Sequence, residues 1–394
     1  MDFQVIAAIV FIVVLTIYLI VIRKRLDIQK ILFPFLYIIL YRSQFGLKFM
    51  KRFAQKFPRF TKVMASIGVV IGFLGMAFIS IQLIIVFKNM IVEPEAPSGV
   101  APVLPVPVQG AVYVPFFYWI ISIFIIALVH EFAHGIVSNL YKIPVRTSGF
   151  AFFGLVLPII PAAFVEPDEK ILPKKSAWKQ LSVFAAGPFS NIILAFLVLG
   201  LMLVTVNPLS GMAYEATGVV VTDVYNETAA AQAGLSGNEL ITAVDGVPVY
   251  TVNQFTQELD AKSPGEPITV TTNASNYNIA LESREDDPDD AFLGVSVVQG
   301  SAVNKEFEAK YGSFAVGAID WFAELFFWLY VLNLGIGLFN LVPLGIVDGG
   351  RMLQVAVGAI FRTRKGQKHA EMIWKIVSIT FLVIILFMLI RSFM

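Results

Sequence analysis

Six stretches of this chain, roughly 4–22, 63–87, 114–138, 180–206, 314–342 and 371–391, are apolar enough and long enough to cross a bilayer. A helix needs about 20 apolar residues to cross a hydrocarbon core about 30 Å thick. Composition agrees: 57% of the residues are hydrophobic and only 14% are charged, against about 25% charged in soluble domains. The 394 residues therefore read as a polytopic α-helical membrane protein of about six transmembrane helices. No basic region precedes the first stretch and no small-residue cleavage site follows it. It is expected to be a retained helix and not a removed signal. A net charge of +1 gives no reason to expect a nucleic-acid partner, and the absence of cysteine excludes disulfides, thiolate ligands and a cysteine nucleophile.

Basic residues set the expected orientation. Of the 29 Lys and Arg, eleven lie in 23–62, six in 141–180 and five in 362–375. If the six stretches alternate, all three segments fall on one side, which the positive-inside bias makes cytoplasmic. Within the first segment, the apolar run Ile31–Tyr41 is too short to span and is expected to lie at the interface among basic residues. The stretch 92–107 is proline-rich and reads as an extended external loop.

The third apolar stretch contains His130-Glu131-Phe132-Ala133-His134, and only one other histidine, His369, exists in the chain. On a helix, positions i and i+4 share one face, so His130 and His134 can point at one metal ion. Glu131, rotated about 100° from His130, is placed to act as general base towards the water that such a site activates. Three polar side chains inside a membrane span are costly unless they are satisfied, and so mark a functional site. His369 stands in a basic loop and reads as a surface residue.

A two-histidine zinc site needs a third protein ligand and an open position. Asp348 follows the fifth apolar stretch, where Pro343 and Gly345 break the helix and can swing it inward. It is favoured over Glu166 and Asp168, the nearest competing acids. The segment 147–166 is apolar, but Gly149, Gly154, Pro158 and Pro161 break any helix, so a β-hairpin or re-entrant loop beside the metal is expected. An exposed strand edge there would suit an unwound peptide. The fourth stretch carries Gly187-Pro188 and then Asn191. This side chain at membrane depth serves either as helix–helix glue or as a donor to a transition-state oxyanion.

Residues 209–305 differ from the rest. They hold 14 of the 28 acidic residues, and strand-like runs at 218–224, 239–244 and 267–272 surround a helical run at 252–261. About 90 residues suffice for one small domain. Its place between an outward and an inward span puts it outside the cytoplasm. The run Ala229 to Ile241, with Gly234, Leu235 and Gly237, resembles a circularly permuted bacterial PDZ domain. That likeness implies either a groove for a peptide C-terminus, with Phe292–Val295 as its carboxylate loop, or a module that only gates access.

Together these motifs resemble the site-2 protease family of intramembrane zinc metalloproteases: His-Glu-x-x-His at 130–134, Gly187-Pro188-x-x-Asn191, and Asn340-x-x-Pro343 followed by Asp348-Gly349, with a PDZ-like insert between the last two. The resemblance covers roughly 63–390. It implies one zinc ion held by His130, His134 and Asp348, with Glu131 as general base and Asn191 near the scissile carbonyl. It implies a substrate-binding β-loop over 147–166, with Gly149, Phe152, Phe153, Gly154 and Leu155 as contact residues. The implied substrates are single-span membrane proteins whose outer domain has already been trimmed. The implied setting is the cell membrane of a prokaryote. The expected organisation is a first helix and basic linker (1–62), membrane core (63–208), insert (209–305) and second core segment (306–394). In this organisation 1–62 is an addition to the shared core.

Overall fold

The computed structural model describes the whole chain except residues 1–2, 33–35, 94–95, 156, 284–286, 288, 362 and 394. It divides into two compact units, Met1–Met202 with Glu324–Met394, and Leu203–Ala323. Among the described residues, six helices are long and apolar enough to cross a membrane, and this is an integral membrane protein.

Helix α1 (Phe3–Val21) leads into a β-hairpin of β1 (Asp27–Leu32) and β2 (Leu36–Ser43). Helix α2 (Leu47–Lys56) follows, and α3 (Pro58–Val92) starts with proline in its first turn, where the missing N–H costs nothing. The proline-rich connection holds two short parallel strands, β3 (Val103–Leu104) and β4 (Val112–Tyr113). Helix α4 (Phe116–Leu140) carries the two histidines, β5 (Val145–Leu155) and β6 (Leu157–Pro167) form a hairpin, and α5 (Ala177–Leu201) carries Asn191.

The four strands of this unit make one antiparallel sheet in the order β1-β2-β5-β6. One expectation changes here. Residues 33–35 of the run 31–41 lie outside the described residues; the rest is not a free interfacial segment, because Ile31 and Leu32 belong to β1 and Tyr37 to Ser43 pair residue for residue with Gly154 to Ser148. The β-branched and aromatic residues Tyr37, Ile38, Ile39 and Tyr41 suit a pleated surface, and a second apolar strand offers them a partner. Helix α2 of the first 62 residues also packs on the helix that carries the histidines. Met50 of α2 is fully buried and lies against Gly135 of α4, and Phe132 packs between Phe45 and Phe49.

The second unit begins in the continuation of α5 and includes the short helix α6 (Asn207–Ala213). Its strands are β7 (Tyr214–Val224), β8 (Leu240–Val244), β9 (Val247–Pro248), β10 (Pro267–Thr272), β11 (Asn276–Ala280), β12 (Glu282–Ser283), β13 (Ala291–Phe292) and β14 (Val295–Val303). The main sheet runs β11-β10-β8-β7-β14, with β9 beside β8. Helices α7 (Ala229–Gln232) and α8 (Val252–Asp260) accompany it, and Thr251 and Gln254 close a capping box on α8. Alternate residues of the strands, Val219, Val221, Ile268 and Val270 among them, bury against Phe255 of α8 to make a core of its own.

After α9 (Lys305–Tyr311) the chain returns through α10 (Ser313–Phe339), a bend, α11 (Asp348–Ile360) and α12 (Arg364–Ser392). The bend places Asp348 and is pinned on both sides. Gly349 N–H donates to the Asn340 carbonyl at 2.7 Å, Trp374 Nε1–H donates to the Gly350 carbonyl at 2.9 Å, and Ser378 Oγ–H donates to the Pro343 carbonyl at 3.2 Å. A Cβ at Gly349 would stand 2.2 Å from the Leu341 carbonyl oxygen, so the turn requires glycine there.

Candidate metal centre

Three helices of the first unit bring the site together. His130 and His134 lie one turn apart on α4, with ring centroids 4.8 Å apart. Asp348 is the first residue of α11, where a carboxylate is favoured by the helix dipole. Its Oδ2 lies 3.1 Å from His130 Nε2 and 3.2 Å from His134 Nε2. These are the three residues, among those described, whose donor atoms group as a metal site. Donors about 2.0–2.1 Å from a tetrahedral zinc stand about 3.3 Å from one another, so the spacing fits that ion. Two imidazoles and a carboxylate also suit its chemistry, and three protein ligands leave a fourth position open.

Helix α5 supports the pair. His134 Nδ1–H donates to the Val183 carbonyl at 2.7 Å, and the Asn191 amide lies 3.1 Å from His130 Nδ1. Gly187 lies between them. A Cβ there would stand 2.4 Å from His134 Nε2 and 2.5 Å from His130 Nε2. Only glycine lets α5 come this close to the ligating atoms. Pro188 follows inside the helix, where a proline ring opens the preceding turn, the turn that holds Val183 and Phe184.

Glu131 faces a cavity of 930 Å³ that it shares with His130, His134, Asp348, Asn340 and the strand Pro161–Pro167. Its Oε2 accepts the Val165 N–H at 2.8 Å. The competing acids are engaged elsewhere. Glu166 binds Arg42 at 3.0 Å and the Thr147 hydroxyl. Asp168 accepts from Arg146 at 2.8 Å, and that guanidinium holds its carboxyl below the usual range. His369 is exposed and lies on the Lys365 carbonyl, away from the cluster.

The residues expected to contact a substrate do not lie on a free strand edge. Gly149, Phe152, Phe153 and Gly154 lie on β5, which is paired with β2 on one side and β6 on the other, so its backbone offers no free edge. Leu155 pairs with Leu157 at the turn, and its side chain lies outside the described residues. Phe153 still lines the cavity through its side chain. The edge that faces α4 belongs to β6. Because Val165 N–H points at Glu131, its pairing groups face away from β5, and alternation gives Ala163 the same direction. Asn191 is fully buried against His130. The sequence reading missed Val183, whose role is played by a backbone carbonyl and carries no residue signature. It quoted Gly187 without a role, although glycine before proline inside an apolar helix signals a close approach.

The model of peptidase family M50 matches residues 118–284 and 297–385. Zinc metalloprotease RasP of Shouchella clausii is 28% identical over 264 residues, 57% of this chain and 60% of that protein. Zinc metalloprotease RasP of Oceanobacillus iheyensis is 24% identical over 243 residues, 50% of this chain and 55% of that protein. The chain thus spans less than two thirds of the length of these relatives. Among solved structures, the PDZ domain of the SdrC-like protein of Listeria monocytogenes is similar at 22% identity, covering 21% of this chain and 88% of that domain with a TM-score of 0.19. The first matched segment holds His130, Glu131, His134 and Asn191 and the second holds Asp348, and the chain belongs to peptidase family M50.

Proposed function

We propose that this protein is an intramembrane zinc metalloprotease that hydrolyses peptide bonds in the membrane segments of single-span proteins. The observation that carries the proposal is the convergence of His130, His134 and Asp348 with Glu131 on one cavity, on a helix whose own sequence is apolar enough to span. Zinc held by these three residues lowers the pKa of water towards about 7 and polarises a carbonyl. Glu131 takes a proton from the attacking water and returns it to the leaving amine.

A membrane helix hides its peptide bonds in internal hydrogen bonds, so a substrate must unwind before it is cut. The β6 edge supplies the replacement pairing, with Ala163 and Val165 as the outward residues. Pairing at Val165 displaces Glu131 from that N–H and returns its carboxylate to the cavity. An Ala163→Pro variant is expected to raise KM about three- to tenfold, the worth of roughly one hydrogen bond. Zinc content is expected to stay unchanged, because an edge position tolerates proline. Unchanged KM would move the substrate off this edge.

The distribution of basic residues supports a cytoplasmic position for the loops 23–62, 141–180 and 362–375 and an extracytoplasmic position for the PDZ-like insert. The cut then falls nearer the cytoplasmic side. The insert either takes a peptide C-terminus at Phe292–Val295, where Gly294 has a φ of +83°, or favours pre-trimmed substrates by bulk alone. The test is cleavage by the full chain in proteoliposomes carrying single-span peptides, with products mapped by mass spectrometry. Cleavage should stop on chelation and return with zinc. A zinc-loaded protein that cuts no member of a broad panel would overturn the proposal.

A further inference from the structure

We propose that Asn191 is a positioning residue for the metal site, its side-chain carbonyl accepting His130 Nδ1–H and thereby fixing the ring tautomer that leaves Nε2 free for the ion. The inference rests on the metal-site reading and replaces the expectation that Asn191 donates to a reacting carbonyl.

A neutral imidazole carries one proton. His130 presents Nε2 to Asp348 at 3.1 Å, so binding a metal there requires the proton on Nδ1. The group that meets Nδ1 is the Asn191 amide, at 3.1 Å. With its NH2 at that contact, two N–H groups would oppose each other. Its Oδ1, on a side chain with no solvent exposure, would be left with no hydrogen-bond partner among the described residues. Turning the amide by half a rotation exchanges two atoms of nearly equal size and removes both conflicts. Oδ1 then accepts from Nδ1–H.

His134 supplies an independent comparison within the same site. Its Nδ1 meets the Val183 carbonyl at 2.7 Å, and a carbonyl can only accept. That ring is therefore protonated on Nδ1 and free on Nε2. Val183, Gly187 and Asn191 are spaced i, i+4 and i+8 on α5, which places them on one face over about two turns. The stripe matches the i, i+4 histidine pair of α4: an acceptor for each Nδ1 at the ends, and glycine where the two Nε2 atoms come closest. The acceptor for His134 is backbone, which any residue provides. The acceptor for His130 is a side chain, so it alone depends on residue identity. Outer partners of this kind typically change metal affinity 10–100-fold.

The test compares Asn191→Leu, which removes the acceptor at similar volume, with Asn191→Asp, which keeps an acceptor but can donate nothing when ionised. Zinc affinity is measured by chelator competition on the full chain in detergent, and the site is also read from the absorption spectrum of the cobalt-substituted protein. Asn191→Leu is expected to bind zinc about 10–100-fold more weakly. Asn191→Asp is expected to restore affinity, the cobalt spectrum and cleavage relative to the leucine variant. An Asn191→Leu protein with wild-type zinc affinity would overturn the proposal. So would an Asn191→Asp protein that holds zinc normally but cleaves no better than the leucine variant, because that pattern marks a donor to substrate. If Asn191→Leu fails to fold, the aspartate variant decides by comparison with the parent, and normal zinc affinity with lost cleavage overturns the proposal. Zinc affinity reads the proposal even if no cleavage of any substrate is found.

Discussion

Replacing Glu131 with glutamine is expected to lower peptide cleavage about 10²- to 10⁴-fold while leaving about one zinc bound per chain. The two halves of this result have separate causes. Glu131 is not among the three residues whose donor atoms group at the metal site, so its loss removes no ligand. Glutamine has nearly the same shape and keeps a carbonyl oxygen to accept the Val165 N–H, which Glu131 Oε2 receives at 2.8 Å. The helix and the adjoining strand therefore keep their places. What disappears is the base, since a neutral amide takes no proton at any relevant pH. Elemental analysis and cleavage of a single-span substrate in proteoliposomes measure both halves on one preparation. Retained zinc with unchanged cleavage would remove Glu131 from the mechanism. Lost zinc would mean that the carboxylate helps to hold the site.

The parts of this arrangement that were legible in sequence are those with a short period or a rare residue. The His130–His134 spacing is local to one helical turn, and apolar runs of bilayer length declare the six long helices. Asp348 was legible because few acids lie near the end of an apolar stretch and because Pro343 and Gly345 mark a bend before it. The sheet was not legible. Residues 31–41 read as a short apolar run, and nothing within them says that their partner lies more than a hundred positions away in Ser148–Gly154. That long-range pairing also decided which strand is an edge. Once β2 takes one side of β5, the free edge of this hairpin belongs to β6, whose Val165 N–H faces Glu131. Asn191 was found, but its role was left open between helix–helix glue and a donor to a reacting carbonyl. The sequence places it at membrane depth, whereas only packing shows that the space beside it is filled by His130 Nδ1.

Adding one methyl group at Gly187 is expected to abolish stoichiometric zinc binding and, with it, cleavage. By intrinsic preference alone, alanine inside a helix is better than glycine by roughly 0.5–1 kcal/mol, so a loss cannot be blamed on helix propensity. The space is the reason. The added Cβ would lie 2.4 Å from His134 Nε2 and 2.5 Å from His130 Nε2, far inside van der Waals contact. These are the atoms that face Asp348. Relief requires either that both rings swing away or that α5 withdraws from α4, carrying the Val183 carbonyl and Asn191 with it. Either movement approaches an ångström, whereas metal–ligand distances tolerate about 0.2 Å. Gly200 provides the control on the same helix, because a Cβ there meets nothing within 4 Å. The Gly200→Ala protein should bind zinc as the parent does, and circular dichroism should show both variants equally helical. A Gly187→Ala protein with one tightly bound zinc would mean that α5 parts without cost from the two histidine rings it lies against.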